Sequence, residues 1–365
     1  MDYKNLDSEE KRNITSSLNS LAPYIGRLRP ECAQFLIDKY AQPGAPIFDP
    51  FCGSGTVLLQ GWINGFDVFG NDLNPYAFVL ANGKMQPTRS LLGAQEKLDE
   101  YVEKVEKYVQ RVDLNTVPQW VQDFFHPNTL KEIIAWVYYL KRNKEWFFLS
   151  CLMGIVHHQR PGFLSYPASH GAPYLRIKKY PKEDFPEMYV YKNVYEKLLN
   201  KINRVYKNFP LLDYNCDRRV FNKDASKMRL SELPHGTIIT SPPYMRSLTY
   251  ARDNRLRLWF LGETDWDGLD KKISPYAMDF LDAMHRCFIK WAHYQIPGEK
   301  CIIVIGDIEF SVDHKKTSMV SLIEEESKRG YRLIEAYQDP IPESRKLVKG
   351  NHKIKREIIV ALERK

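Results

Sequence analysis

A chain of 365 residues has room for one large domain, or for a catalytic domain carrying a substantial insertion. Hydrophobic residues make up 44% of it and aromatics 13%, which supports a real core and excludes a disordered chain. The net charge of +8 is mildly basic and does not by itself establish a nucleic-acid partner.

The distribution of that charge is more informative. Residues 141–207 hold 13 Lys/Arg against 5 Asp/Glu, an excess of 8 that equals the excess of the whole chain. A concentrated basic face suits a polyphosphate partner; the alternative is a solvated helical surface. The six cysteines, Cys32, Cys52, Cys151, Cys216, Cys287 and Cys301, form no CxxC pair. That leaves no zinc framework and fits a reducing compartment. The opening MDYKNLDSEEKRN is polar and lacks a signal-peptide core. No apolar run approaches the roughly 20 residues needed to cross a bilayer. The expectation is a soluble cytoplasmic protein with no membrane partner.

In chain order, residues 1–20 read as polar and partly helical. Residues 22–40, APYIGRLRPECAQFLIDKY, read as a turn leading into an amphipathic helix that Pro43 and Gly44 end. Residues 46–49 read as a short strand, Gly53 and Gly55 as a tight turn, 56–64 as a helix, and 66–71 as a second strand ending in Asp72. This order of strand, glycine turn, helix, strand and acid is half of a nucleotide-type α/β unit. The α/β rhythm then stops. Residues 91–111 read as a charged helix, and 130–140 and 146–157 as more buried ones. Residues 160–186, rich in Pro, Gly, Ser and Tyr, read as a long loop, and 189–207 as helix again. Residues 86–216 therefore form an insertion. Strand signals resume at 219–222, 236–240 and 301–305. A helix follows at 322–329, and late strands at 331–337 and 357–362.

Three motifs carry chemistry. In FDPFCGSGT, residues 48–56, glycines after a strand let the backbone pass close to a ligand, and the following helix offers unpaired N–H groups. The Gly-Lys-Ser/Thr ending of a phosphate loop is absent. Asp49 before the turn speaks against a polyphosphate and for a cationic or amine-bearing ligand; S-adenosylmethionine carries both an amine and a sulfonium. In NDLNP, residues 71–75, an acid at the end of the second strand can accept both hydrogen bonds of a ribose. The other reading of Asp72 is an exposed strand-end carboxylate. In TSPPY, residues 240–244, two prolines fix φ and remove two N–H donors, leaving carbonyl acceptors on a stiff backbone. An exocyclic amine is a poor nucleophile because its lone pair is delocalised into the ring. A hydroxyl and a proline carbonyl that accept its two N–H groups turn that lone pair towards a methyl donor, and Tyr244 can stack on a base flipped from the duplex.

The ordered set YIGRLRP, FDPFCGSGT, NDLNP, a lone strand-end Asp224 and TSPPY resembles the amino-methylating bacterial DNA methyltransferases, and most resembles their cytosine-N4 branch, the SPPY-type restriction–modification methylases. The resemblance runs from residues 24–30 to PESRK at residues 342–346, and is weakest across the insertion. It implies an α/β fold: a Rossmann-like S-adenosylmethionine-dependent methyltransferase sheet with an antiparallel edge hairpin, carrying a largely helical insertion. Residues 1–85 and 217–365 would form the catalytic domain, and 86–216 the region recognising the DNA target. It implies that Tyr24, Ile25, Gly26 and Leu28 lie against the methionine part of the cofactor. Asp49, Pro50, Phe51, Gly53, Ser54, Gly55 and Thr56 would line its amino-acid end. Asp72, with Leu73 and Asn74, would hold the ribose, and Asp224, with Ala225, the adenine. Ser241, Pro242, Pro243 and Tyr244 would hold the target base. The implied partner is double-stranded DNA in the nucleoid of a bacterium or archaeon, with a cognate restriction endonuclease as an option the sequence leaves open.

Within the insertion, residues 157–179 mix cations, rings and three histidines. His157 and His158 are adjacent and His170 lies in the loop, so no metal is expected. Arg160, Arg176, Lys178 and Lys179 are the expected contacts to duplex phosphates or bases. Arg252, Arg255 and Arg257 either reach DNA or balance neighbouring acids. Carbon-5 cytosine methylation needs a thiolate usually presented after proline, and no Pro-Cys dipeptide occurs. Adenine-N6 methylation is the close alternative. RNA or protein-glutamine methylation lies further off, and a catalytically silent DNA-binding subunit is the reading from another class.

Overall fold

The computed structural model describes residues 14–160, 162–169, 171–243, 249–273, 277–306, 309–312, 315–340 and 356–365. Its centre is a seven-stranded sheet in the order β3-β2-β1-β4-β5-β9-β8. The strands are β1 (Ile47–Asp49), β2 (Val68–Asn71), β3 (Arg218–Phe221), β4 (Thr237–Thr240), β5 (Lys300–Gly306), β8 (Tyr331–Pro340) and β9 (Arg356–Arg364). The first five in that order run parallel. β9 runs antiparallel between β5 and β8. β6 (Glu309–Val312) and β7 (Lys315–Ser318) form a separate ribbon. The chain thus has the expected Rossmann-like α/β fold with an antiparallel edge pair.

Both faces of the sheet are covered, and alternation along each strand decides which residue faces which layer. Ile47, Val68, Ile239, Ile302, Val304, Ile359 and Ala361 join the larger hydrophobic cluster. Phe48, Phe69, Ile238, Cys301, Ile303, Ile305, Ile358 and Val360 join the other. The register carries this from strand to strand, with Phe48 beside both Phe69 and Ile238. Strands buried on both faces read as continuous apolar runs, as CIIVI in β5 does.

On the larger cluster's side lie α1 (Pro30–Tyr40), α2 (Thr56–Ile63) and α3 (Pro75–Met85). Beyond them come α4 (Leu91–Val109), α5 (Pro127–Arg142), α6 (Trp146–Ile155) and α7 (Val194–Tyr206), whose apolar faces belong to the same cluster. In α7 the stripe is Val194, Leu198, Ile202 and Val205, all buried, the spacing of one helix face. α6 packs tightly on α3 because Gly83 has no side chain: a Cβ there would stand 2.1 Å from Ser150 Oγ, whose hydroxyl donates to the Val79 carbonyl at 2.8 Å. After β4 come α8 (Arg255–Phe260), α9 (Trp266–Ile273), α10 (Ala277–Tyr294) and α11 (Met319–Ser327). Phe280, Met284, Phe288 and Trp291 of α10 cover the other face.

Sequence reading left α3 and α10 unassigned. α3 is buried nearly all round, from Tyr76 to Met85, so its sequence shows no amphipathic period. The described residues of the expected long loop at 160–186 are irregular, tied by Leu164 N–H to the Ile155 carbonyl at 2.9 Å and Tyr166 N–H to the Phe124 carbonyl at 2.7 Å. No helix among the described residues is long and apolar enough to cross a membrane.

Candidate functional site

The strand order reverses direction between β1 and β4; α2, which follows β1, packs in one core cluster, and α10, further along after β4, packs in the other. Such a switch point opens a crevice at the carboxyl ends of the strands. A cavity of about 540 Å³ lies there, within the usual range for small-molecule sites. Asp49 at the end of β1, Asp72 just past β2, Asp224 past β3, and Ser241 and Pro243 past β4 all line it.

The ends of β1 and β4 are joined directly. Thr240 Oγ1 donates to Asp49 Oδ1 at 2.6 Å. The Phe51 N–H lies 3.2 Å from both that carboxylate oxygen and the Thr240 hydroxyl. Asp49 is only 3% exposed. Burial raises its pKa to about 7, against the lowering pull of Thr240 and the Phe51 amide. The glycine turn follows. Gly53 and Gly55 sit at φ +51° and +75°, the left-handed region that glycine enters without penalty. A Cβ on Gly53 would approach Tyr24 Cε1 to 3.3 Å, and one on Gly55 would meet Ala81 Cα of α3 at 3.0 Å.

Asp72 closes the turn from the next strand. Its Oδ2 accepts from the Gly53 N–H at 2.8 Å and its Oδ1 from the Asn74 N–H at 2.9 Å. Each carboxylate oxygen keeps a second lone pair. Burial raises this acid to about 6, opposed by the two amides. Asp224 differs: burial alone would raise it, but the Ser226 hydroxyl and amide and the Lys227 ammonium outweigh that and leave it lowered. Its Oδ1 accepts from Ser226 Oγ at 2.7 Å and Lys227 stands 3.4 Å from Oδ2.

Tyr24, Gly26 and Leu28 form the wall opposite, together with Tyr250. The Tyr24 ring lies 6.0 Å from Tyr76 and 6.4 Å from Tyr250. Tyr76 fixes the approach of this segment, its hydroxyl donating to the Pro23 carbonyl at 2.8 Å. Burial, with the nearby Asp72 charge, pushes the Tyr24 hydroxyl well above its ordinary range and keeps it protonated. Burial and the same acids push the Cys52 thiol up too, which leaves it a neutral space-filler rather than a nucleophile.

Of the residues picked from sequence, Tyr24, Gly26, Leu28, Asp49, Phe51, Gly53, Thr56, Asp72, Leu73, Asp224, Ala225, Ser241 and Pro243 share this one cavity. Ile25, Pro50, Ser54, Gly55, Asn74 and Pro242 are not part of its lining; Asn74 caps α3, accepting from the Tyr76 N–H at 3.0 Å. Tyr244, His170 and residues 342–346 lie outside the described residues. Arg160, Lys178 and Lys179 are exposed on the 160–186 segment and Arg176 half-buried beside Gln159. That segment is tied to the chain after TSPPY, because Arg255 donates to the Pro173 carbonyl. His157 and His158 are buried packing groups, His157 Nδ1 lying 3.1 Å from the Ser169 carbonyl and His158 stacked on Phe163 at 4.6 Å.

The described arginines after TSPPY have partners within the protein, on the surface for Arg252 and in the core for Arg257. Arg252 pairs with Asp267 at 3.6 Å. Arg257, 1% exposed, donates to the Met153 carbonyl at 3.0 Å. Sequence reasoning missed Thr240, Tyr250, the α10 wall of Phe280 and Met284, and Lys271 and Lys272 at the end of α9. Thr240 was visible as the first letter of TSPPY. The others stand on segments that carried no motif.

No family model matches the chain. A stretch of 79 residues is 33% identical to the type II methyltransferase M.MjaII of Methanocaldococcus jannaschii, covering 22% of this chain and 14% of that protein. A stretch of 67 residues is 34% identical to the type II methyltransferase M.MvaI of Kocuria varians, covering 18% and 15%. The matches thus span about a seventh of these relatives' lengths. Among solved structures, TrmN from Thermus thermophilus aligns with 95% of this chain and 52% of its own, at 11% identity and a TM-score of 0.38. The rRNA methyltransferase aviRa from Streptomyces viridochromogenes aligns with 98% and 93%, at 11% and 0.35. With scores this low, the fold rests on the strand order and register above.

Proposed function

We propose that this chain is an S-adenosylmethionine-dependent DNA methyltransferase acting on an exocyclic base amine, the N4 amine of cytosine. The observation that carries the reading is the convergence on one cavity of Asp49, Gly53, Asp72, Asp224 and Ser241, which span 193 residues of sequence. The partial identity to two type II methyltransferases agrees with it.

The residues present fit the cofactor. Gly53 leaves the cavity wall without a Cβ, Asp72 retains acceptor capacity for ribose hydroxyls, and Asp49 at the other end suits an amine. S-adenosylmethionine is the cofactor, and when bound it supplies an electrophilic methyl on a sulfonium. The chain's own groups do the remainder. Tyr24 and Leu28 flank the methionine end; Asp224 and Ala225 hold the adenine. The Ser241 hydroxyl and the Pro242 carbonyl accept the two N–H groups of the target amine, which turns its lone pair towards the methyl. A base in a duplex must leave the stack to reach them, and Tyr244 is the stacking partner. Residues 1–85 and 217–365 are the catalytic part. Residues 86–216 recognise the DNA, with Arg160, Arg176, Lys178 and Lys179 on the duplex. A cognate restriction endonuclease is an option this reading leaves open.

Mass spectrometry of nucleosides from mixed-sequence DNA, incubated with the protein and S-adenosylmethionine, tests this. N4-methyl-deoxycytidine is the expected product. N6-methyl-deoxyadenosine would overturn the base assignment and keep the mechanism. No methylated nucleoside from mixed-sequence DNA, native genomic DNA or RNA, despite cofactor binding, would identify a silent binding subunit instead.

A further inference from the structure

The last turn of α9 carries Lys271 and Lys272, both exposed and both on the lining of the cavity. Leu269 and Ile273 are the buried residues of this helix, so packing uses its apolar side and leaves the two lysines to solvent. Asp270, their neighbour, fixes the helix to the chain that follows TSPPY. Its carboxylate accepts from the Ala251 N–H at 2.6 Å and from the Arg252 N–H at 2.9 Å. Ser241, Pro243 and Tyr250 line the same cavity, so the lysines share it with the target-base motif.

Among the described residues neither lysine side chain has an ion pair or a hydrogen bond. The acids on the cavity are placed otherwise. Asp49 and Asp72 accept from Thr240 and from backbone amides, and Asp224 faces Lys227 at 3.4 Å. Asp279, exposed in the first turn of α10, lines the cavity without an ion pair. Two adjacent ammoniums without an acid repel one another, and an anion beside them removes that cost. A target base is uncharged and gives them nothing to meet. The phosphodiester that carries it has a fixed negative charge, which lysine binds as a point charge on a flexible stem. We propose that Lys271 and Lys272 hold backbone phosphates of the DNA strand whose nucleotide enters the cavity. This rests on the reading of the cavity as a site of base methylation. It adds a phosphate contact at the reacting nucleotide to the one assigned to residues 160–179.

Single-stranded DNA of mixed sequence is the probe, because its nucleotides can enter the cavity without leaving a duplex stack. Lysine acetylation of the full chain, read by mass spectrometry with and without saturating DNA, compares Lys271 and Lys272 with Lys328 and Lys365. The latter two are exposed beyond the pairing of Tyr331 with Arg364, at the amino end of β5 and away from the cavity. DNA should protect Lys271 and Lys272 and leave Lys328 and Lys365 as reactive as before. Lys271→Gln combined with Lys272→Gln should lower the slope of log affinity against log salt by about 1.4, at roughly 0.7 per phosphate on a single strand. Calorimetry with S-adenosylhomocysteine should show no matching loss. Binding of DNA with neither lysine protected, or with the slope unchanged in the variant, overturns the proposal and leaves the pair to balance the negative end of the helix. Equal losses for DNA and S-adenosylhomocysteine also overturn it, by assigning the lysines to the cofactor. An unaltered chain that binds S-adenosylhomocysteine and no DNA removes the nucleic-acid reading, and this proposal with it, a result distinct from the others.

Discussion

Replacing Asp49 by Asn should change how the protein's stability depends on pH. Asp49 is buried at the cavity floor and its pKa is raised to about 7, while an unfolded aspartate titrates near 3.8. Between those values the unfolded chain has lost a proton that the folded chain still holds. The stability from the protonated acid is therefore complete below about pH 4 and is lost as pH rises through about 7. The interval from 3.8 to about 7, at about 1.4 kcal/mol per pH unit, makes about 4 kcal/mol. Cavity water beside the carboxylate trims that to about 2–4 kcal/mol. Asn carries no charge and keeps the oxygen that accepts from Thr240 and the Phe51 amide, so the comparison removes the titration and preserves the geometry. Urea unfolding of both proteins at pH 4.5, 6 and 8 measures it. The variant should gain on the natural protein as pH rises, from about 0.5–1 kcal/mol at pH 4.5 to about 2–4 kcal/mol at pH 8. A difference that stays constant across that range would refute the assignment of a raised pKa to Asp49.

Gly53→Val and Ser241→Ala should separate binding from chemistry. The first adds bulk at φ +51°, with its Cβ 3.3 Å from Tyr24, and should abolish S-adenosylhomocysteine binding in calorimetry. The second should lower turnover far more than cofactor affinity, and equal losses would contradict the division between the two ends of the cavity. Replacing Arg160, Arg176, Lys178 and Lys179 together by Ala should weaken DNA binding and flatten its dependence on log salt by about 3–4, at roughly 0.9 per phosphate contact; an unchanged slope in filter binding would move the interface elsewhere.

The elements most legible in the sequence were those whose function or burial imposes a short pattern. The glycines of the turn after β1 were readable because only glycine tolerates φ +51° and +75° there. β5 was readable as a run of five apolar residues, as burial on two faces requires. The strand-end acids Asp49 and Asp72 were readable because each follows its strand and adjoins the turn. α3 was not legible: it is buried on nearly every side, and a helix buried all round has lost the period that marks one; α10 does carry that period, in Phe280, Met284, Cys287, Phe288 and Trp291, but no motif drew attention to it. Spatial order was also closed to the sequence. Nothing in residues 237–240 states that β4 lies against β1, yet that pairing puts Thr240 on Asp49 and Ser241 and Pro243 on the same cavity as Gly53. Lys271 and Lys272 are the sharpest case. Two lysines in a chain with 53 basic residues carry no local signal, and they gained their place only when α9 folded onto the cavity. The sequence by itself determined the residue types and turns that the chemistry needs. Tertiary structure alone decided which of them meet, because meeting depends on strand order and helix packing across separations that no local pattern encodes.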